Sequence, residues 1–363
     1  MNSFITNKRV LVTGACGTVG SELVRQLLEA YEVEELIGVD NNESELFFLE
    51  QRFSRHANAT FFLADIRDLE KMSRLTAGTH LVFHTAAYKH VIMCERSPFE
   101  AVQTNILGVK NVIQAAMENG VEKVIFTSSD KAVNPTNVMG TSKLMGERLI
   151  TAANSNMRGH NTILASTRFG NVLGSRGSVL PIFREQIKKG GPLTLTDSDM
   201  SRFVMSTKTA VQLVIDSASI VMGGEVFITK MPVIRIKDLA EVMIQELAPS
   251  YHRQPQDITI EMIGTKPGEK MYEELMSDEE ARRAWELQRY FAVLPAFTSV
   301  YRKIVYHYDD IRSDTVTNPY HSANEDPLTK EELKTFLVEN RLLEEYTSDH
   351  PDQRYWPNGE LKD

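Results

Sequence analysis

The chain has 363 residues, 42% of them hydrophobic, which is enough to bury one large core or two smaller ones, and its length predicts two lobes. Its 49 acidic against 40 basic residues give a net charge of -9, which opposes broad nucleic-acid or anionic-membrane binding and confines any basic site to a local cluster. Two cysteines, Cys16 and Cys94, exclude a disulfide framework, no histidine spacing matches a metal motif, and no apolar run approaches the roughly 20 residues that span a bilayer; a cytoplasmic protein without signal peptide, membrane anchor or metal is expected.

Residues 9–13 (RVLVT) predict a strand, followed by Gly14, Ala15, Cys16, Gly17, Thr18, Val19 and Gly20 and an amphipathic helix to about residue 30. This GxxGxxG passage permits a sharp turn, lets a diphosphate approach the backbone, and aims the positive end of a helix at it. A second strand, residues 36–39, ends in Asp40, about 20 residues past the last glycine, where a carboxylate accepts the adenosine ribose hydroxyls. An acid there repels a 2′-phosphate, so NAD is expected over NADP; the plainer reading of Asp40 is a cap for a helix starting near Asn42.

A third strand over 61–63 leads to Asp65 and Ile66, placed to flank an adenine, although an acid after a strand also serves as a helix cap. A fourth over 81–84 leads to Ala86 and Ala87, small enough to let a cofactor lie against the backbone, and then to Tyr88, Lys89 and His90 facing the cleft. Lys89 reads equally as a phosphate ligand or a solvated lysine, and His90 more readily as a packed or solvated histidine than a catalyst. Asn105 is expected to hold the irregular backbone of a neighbouring helix. The alternation of strands and helices predicts an α/β fold, a Rossmann-type doubly wound parallel sheet with a smaller α/β substrate-binding lobe.

Residues 124–126 form a buried strand that feeds TSSDKAVNPTNVMGTSK, residues 127–143. Ser129, Asp130 and Lys131 therefore fall at a strand's carboxyl end, where open α/β sheets bind ligands. Pro135 delays the next helix to about Asn137, capped by Thr136 or Asn137, which puts Met139 and Lys143 one turn apart on one face. A sixth strand, 163–167, opens into a glycine-rich polar loop over 168–178, suited to closing over a ligand. Further on, helices are expected over 181–189 and 207–221, a short extended segment over 193–196, a turn over 266–270 that opens a helix over 271–276, and a last helix over 329–343. Arg176 and Arg202 are candidate diphosphate clamps, or else surface ion-pair partners.

The glycine turn, Asp40, and Met139 and Lys143 on a helix behind a serine-rich strand end resemble the extended short-chain dehydrogenase/reductase family. More narrowly, SSDKAVNPTNVMGTSK, AAYKHV, RFGNVLGSRGSVLPIF, MSRFVM and KPGEKMYEEL are similar to the nucleotide-sugar 4,6-dehydratases of bacterial polysaccharide and glycan biosynthesis, a likeness running to about residue 295. The resemblance implies a tightly bound, internally recycled NAD held by Gly14, Cys16, Gly17, Thr18, Val19, Gly20, Asp40, Asn41, Asp65, Ile66, Ala86, Ala87, Asn105 and Lys143. It implies a nucleotide sugar, usually UDP-N-acetylglucosamine, met by Lys89, His90, Asn171, Ser175, Arg176, Ser178, Val179, Thr194, Arg202, Lys266 and Glu269. A homo-oligomer is also implied. The corresponding division is a mainly NAD-binding domain over 1–170, a mainly sugar-nucleotide lobe over 171–310 with chain crossing between them, and a tail over 311–363 with one helix.

In that family hydride leaves C4, the C5 proton is acidified, water leaves C6, and hydride returns to C6. By resemblance Lys131 is the base at C5, Asp130 the acid at the C6 oxygen, Ser129 a hydrogen-bond donor to the C4 oxygen, and Lys143 the holder of the nicotinamide ribose. The family at large has tyrosine where this chain has Met139, and a thioether cannot exchange a proton, so the group that takes the C4 hydroxyl proton is open between Asp130, Lys131 and a water linked to Lys143. Inverting members tend to carry an arginine-containing segment where this chain has Asp40, Asn41 and Asn42, so retention at C5 is implied. An epimerase or 5,6-dehydratase acting on the same kind of sugar, and a non-catalytic sensor of NAD or a sugar nucleotide, are the competing readings. The Asp130–Lys131 pair favours dehydration, because an epimerase needs no acid for a leaving hydroxyl; its plainer reading is an exposed ion pair worth about 0–1 kcal/mol.

Overall fold

The computed structural model describes residues 4–156, 159–175, 177–264, 269–297 and 304–344. The first half alternates as β1 (Arg9–Thr13), α1 (Thr18–Ala30), β2 (Glu35–Asp40), α2 (Glu43–Arg52), β3 (Ala59–Leu63), α3 (Leu69–Thr76), β4 (Leu81–His84), α4 (Val91–Arg96), α5 (Pro98–Val102), α6 (Val109–Glu118), β5 (Lys123–Ser129), α7 (Val138–Asn156) and β6 (Ile163–Phe169). The second half brings β7 (Asn171–Leu173), α8 (Val179–Lys189), β8 (Leu193–Leu195), β9 (Ser201–Ser206), α9 (Thr207–Ile220), β10 (Val226–Thr229), β11 (Val233–Arg235), α10 (Ile236–Leu247) and β12 (Ile260–Met262). It ends with β13 (Glu274–Met276), α11 (Asp278–Ala281), β14 (Ala284–Leu287), β15 (Tyr290–Val293), β16 (Ile311–Ser313), β17 (Tyr320–His321) and α12 (Lys330–Glu339).

The main sheet runs β3-β2-β1-β4-β5-β6-β10 in parallel and continues antiparallel through β15, β14 and β16. Helices cover both faces, and the side-chain alternation of the strands explains how. Val10 and Val12 of β1 point into a core shared with Leu23, Val24 and Leu27 of α1 and with α9. Leu11, between them, points into the opposite core with Val112 and Ile113 of α6 and Ile150 of α7. A third apolar cluster builds the smaller lobe, where α8 and α10 pack with β8 and β9, and Leu333 and Leu337 of α12 close it from the tail.

Three expected elements differ. Residues 271–276 are a bend followed by β13, not a helix: six residues cannot nucleate a stable helix alone, and here Ser322 Oγ accepts from the Glu273 N–H at 2.9 Å while the Ser322 N–H donates to the Glu273 carbonyl at 2.8 Å. The tail thereby draws the segment out as an antiparallel partner of β17. The last helix begins as expected, with a Thr329–Glu332 capping box, but ends at Glu339, followed by Arg341 in the left-handed region at φ 52°. The helix expected from residue 181 starts two residues earlier, which leaves Pro181 in the first turn, where its missing N–H has no partner to lose.

Arg168 of β6, fully buried, joins the two halves. Its guanidinium donates to Glu147 of α7 at 2.6 and 3.0 Å, to Glu280 of α11 at 3.0 and 3.1 Å, and to the Leu275 carbonyl at 2.7 Å.

The glycine turn is tight. Gly14 has φ 70°, and a Cβ there would lie 2.7 Å from the backbone of Ala86; a Cβ on Gly20 would lie 2.0 Å from the Gly14 carbonyl oxygen. Gly20→Ala is therefore expected to push α1 off β1 and to cost about 1–3 kcal/mol, read as a lower urea midpoint with an unchanged slope.

Candidate active site

One cleft of about 930 Å³ lies at the carboxyl ends of β1, β4, β5 and β6, between the main sheet and the smaller lobe. That size suits a ligand of cofactor or drug dimensions. Gly17, Thr18, Val19 and Gly20 line it at the start of α1, whose N-terminus carries no side-chain cap, the arrangement that receives a phosphate group. Ala87, Lys89 and His90 line it from the loop after β4. From the smaller lobe Asn171, Ser175, Ser178, Val179, Thr194, Arg202 and Glu269 face the same space. Ser128 Oγ and Ser178 Oγ, both buried along this wall, have no hydrogen-bond partner among the described residues.

Other expected residues stand outside the cleft wall. Asp40 accepts from the Cys16 N–H at 2.9 Å and the Asn42 N–H at 3.0 Å, joining the end of β2 to the glycine turn. The plainer reading of Asp40 does not hold, because Asn42 itself caps α2. Nor does Asp65 cap a helix: Asp68 does so for α3, while Asp65 pairs with Arg67 at 2.7 Å and accepts from Asn41 at 3.3 Å. Ile66 is buried against Gly108. Asn105 sits in a π-helical turn, Gln103–Gly108, accepts from the Tyr88 N–H, and donates to the Tyr88 carbonyl and Ser142 Oγ, so it fixes the loop carrying Ala87 and Lys89 against α7. Arg176 and Lys266 lie outside the described residues.

The centre of the cleft is the stretch from β5 to α7. Asn137 Oδ1 accepts from the Gly140 N–H and the Glu95 carboxylate from the Val138 N–H, which starts α7 where the proline spacing predicts. Met139 packs with Cys94 and Ala101 and lines the cleft, one turn before Lys143. Lys143 Nζ donates to the Thr127 carbonyl at 2.9 Å and lies 4.6 Å from the Phe126 ring centre. Burial lowers its ammonium to about 8, so it stays charged at neutral pH by a small margin.

Asp130 and Lys131 form a short helical turn after β5. Asp130 is 5% exposed; its carboxylate accepts from Ser129 Oγ at 2.8 Å and from Lys131 Nζ at 2.8 and 3.1 Å. The Ser129 hydroxyl is thus turned to Asp130, and it accepts from the Lys131 N–H as the cap of that turn. Lys131 keeps 34% of its side chain exposed to the cleft. Burial alone would raise the Asp130 carboxyl, but the Lys131 charge and the hydrogen bonds of Lys131 and Ser129 hold it below the usual range. Burial disfavours the Lys131 ammonium, yet Asp130 and Glu273 more than offset this and keep it above its ordinary value. The exposed-ion-pair reading therefore fails for this pair.

Glu273 is the residue that the sequence reading missed. Its buried carboxylate accepts from Asn171 Nδ2 at 2.7 and 2.9 Å, lies 3.3 Å from Arg202 Nε, and stands 3.9 Å from Lys131 Nζ. Burial first, and the Asp130 charge second, push it up to about 7. Arg202 meets the cleft with part of its guanidinium committed, since it also donates to the carbonyls of Ser201, Lys270 and Met271.

The polysaccharide biosynthesis protein family matches residues 10–295. An uncharacterized membrane protein of Methanocaldococcus jannaschii is 45% identical, over 94% of this chain and 99% of that protein, although among the described residues no helix is long and apolar enough to cross a membrane. The inverting UDP-N-acetylglucosamine 4,6-dehydratase of Campylobacter jejuni is 37% identical over 81% of this chain and 84% of its own length, and a UDP-glucose 4-epimerase of Rickettsia canadensis is 35% identical over 93% and 98%. Among solved structures, Pen from Bacillus thuringiensis is 40% identical with a TM-score of 0.85, covering 93% of this chain and 99% of that one. The chain belongs to the polysaccharide biosynthesis protein family, within the extended short-chain dehydrogenase/reductases of nucleotide-sugar 4,6-dehydratase type.

Proposed function

We propose that this chain dehydrates a nucleotide-activated N-acetylhexosamine, UDP-N-acetylglucosamine in the first instance, to the 4-keto-6-deoxy sugar for surface polysaccharide or glycan assembly. The observation that carries this reading is the buried Asp130–Lys131 pair opening onto the cleft beside Lys143. An NAD fits the uncapped start of α1, the Asp40 carboxylate and Lys143, and when bound it supplies a reversible hydride acceptor for C4. Lys143, charged and buried, stabilises negative charge that develops on the C4 oxygen.

Met139 cannot take the C4 hydroxyl proton, and of the three acceptors left open Asp130 closes the proton balance. Its carboxylate takes the proton from the C4 oxygen and later gives it to the departing C6 oxygen, which leaves as water. Lys131 removes the C5 proton and returns it, and one nitrogen on one side of the ring returns it to the same face, which is retention. Ser129, hydrogen-bonded to Asp130, steadies that carboxylate through both transfers. Because an epimerase has no hydroxyl to expel, the acid–base pair at the strand end supports dehydration over epimerisation.

The test is to incubate the purified protein with UDP-N-acetylglucosamine in heavy water and follow the sugar by NMR. A 4-keto-6-deoxy product with deuterium at C5 and unchanged configuration is expected. A C4 epimer would move the reading to an epimerase. No change with this sugar or with other UDP-, GDP- and dTDP-sugars would reject it.

A further inference from the structure

Lys131 can act as a base at C5 only as an amine, yet the geometry around it favours the ammonium. Two carboxylates face its nitrogen, Asp130 at 2.8 Å and the buried Glu273 at 3.9 Å, and the two are neighbours of each other. If Asp130 is reserved for the C4 and C6 oxygens, it cannot also hold the lysine's proton. Glu273 has no such duty: it precedes β13, its main chain is clamped to Ser322, and Asn171 and Arg202 fix its carboxylate in place.

We propose that Glu273 is a positioning residue for the proton inventory of the site, which takes the proton off Lys131 and keeps it while Lys131 works on C5. The inference rests on the dehydratase reading above. In this transfer an N–H bond of the Lys131 ammonium breaks and an O–H bond forms on Glu273, so an ammonium–carboxylate pair becomes an amine and a carboxylic acid, with no change in net charge. A sugar seated over the exposed part of Lys131 displaces water, which penalises both charged forms together and drives the transfer. The charged groups facing Glu273 are Asp130 and Lys131 from the turn after β5 and Arg202 from β9. Burial and the Asp130 charge already lift Glu273 to about 7, so little driving force is needed.

Glu273 must be an empty carboxylate to accept the proton. Turnover of the wild type is therefore expected to rise with pH through about 7, the value to which Glu273 is pushed. In Glu273→Gln the lysine can lose its proton only to solvent. The acid limb should move toward alkaline pH, with activity near neutrality down about a hundredfold and recovering as pH rises. Asn171→Ala removes two hydrogen bonds to the ionised carboxylate, so the limb should move upward in that variant too, which keeps the test available if Glu273→Gln folds poorly.

The proton itself is read by infrared difference spectroscopy on adding UDP-N-acetylglucosamine at a pH about one unit above the Glu273 ionisation. Asp130 also becomes a carboxylic acid once it has taken the C4 proton, so the diagnostic signal is a second protonated-carboxyl band, present in the wild type and missing in Glu273→Gln, where the Asp130 band stays. Product with no second band, or with an acid limb that neither variant moves, would overturn the role of Glu273 and leave the dehydratase reading standing. The second band without product would do the reverse. A uniform loss of activity at every pH would make Glu273 a packing residue only.

Discussion

Lys131→Ala is expected to abolish elimination while the protein retains its bound NAD. The side chain lines the cleft as the assigned base at C5, and removal of a positioned acid–base group costs about 10²- to 10⁴-fold in turnover. Deuterium entry at C5 from heavy water should vanish together with the 4-keto-6-deoxy product. The cofactor-binding parts, the start of α1 and Asp40, lie on other elements and keep their shape, so the NAD content of the purified variant should match the wild type. Removing one cation also leaves Asp130 and Glu273 facing each other with Arg202 the remaining cation beside Glu273 among the described residues. Lys131→Gln, which fills the same space, separates that electrostatic disturbance from the loss of the base and should be equally inactive. Full activity in either variant would refute the assigned base.

Arg168→Met should be the most damaging change to stability outside the cleft. It leaves Glu147 and Glu280 buried without their shared cation, and breaking a buried pair in this way costs about 3–5 kcal/mol, visible as a lower urea midpoint. The pH dependence gives a second measurement. Burial would raise the Glu280 carboxyl, but the Arg168 charge and hydrogen bonds hold it at about 2 against an ordinary 4.5. Its folded value is depressed, so its contribution to stability is complete above about 4.5 and is lost as pH falls through about 2. The wild type should therefore lose stability across that window, and the variant should lose much less there because the contribution is already gone. Equal acid sensitivity in both would disprove the assignment.

The parts of the site that were legible in the sequence are those whose geometry is local. Gly14, Gly20 and Asp40 follow from one strand, one turn and one helix, and Lys143 is fixed relative to Met139 by helical spacing. The parallel sheet was legible for the same reason, since each buried strand announces itself as a short β-branched run. Glu273 was not legible. It reaches Lys131 only because residues 271–276 are straightened against β17, and nothing in EKMYEEL distinguishes that outcome from a helix rich in glutamate, methionine and leucine. The roles of Asn42 and Asp68 as caps, which leave Asp40 and Asp65 for other partners, likewise turn on one or two residues of boundary. The commitment of Arg202 to the carbonyls of Lys270 and Met271 depends on contacts across 68 and 69 positions of chain.

Arg168 has a mechanical consequence beyond its stability. Glu147, which it grips, is one turn past Lys143 on α7, and Glu280, which it grips on the other side, follows Glu273 by seven residues through β13. One guanidinium thus acts as a rivet between the bank of the cleft that carries Lys143 and the bank that carries Glu273. Loosening the rivet should therefore disturb both banks together, although neither Glu147 nor Glu280 lines the cleft.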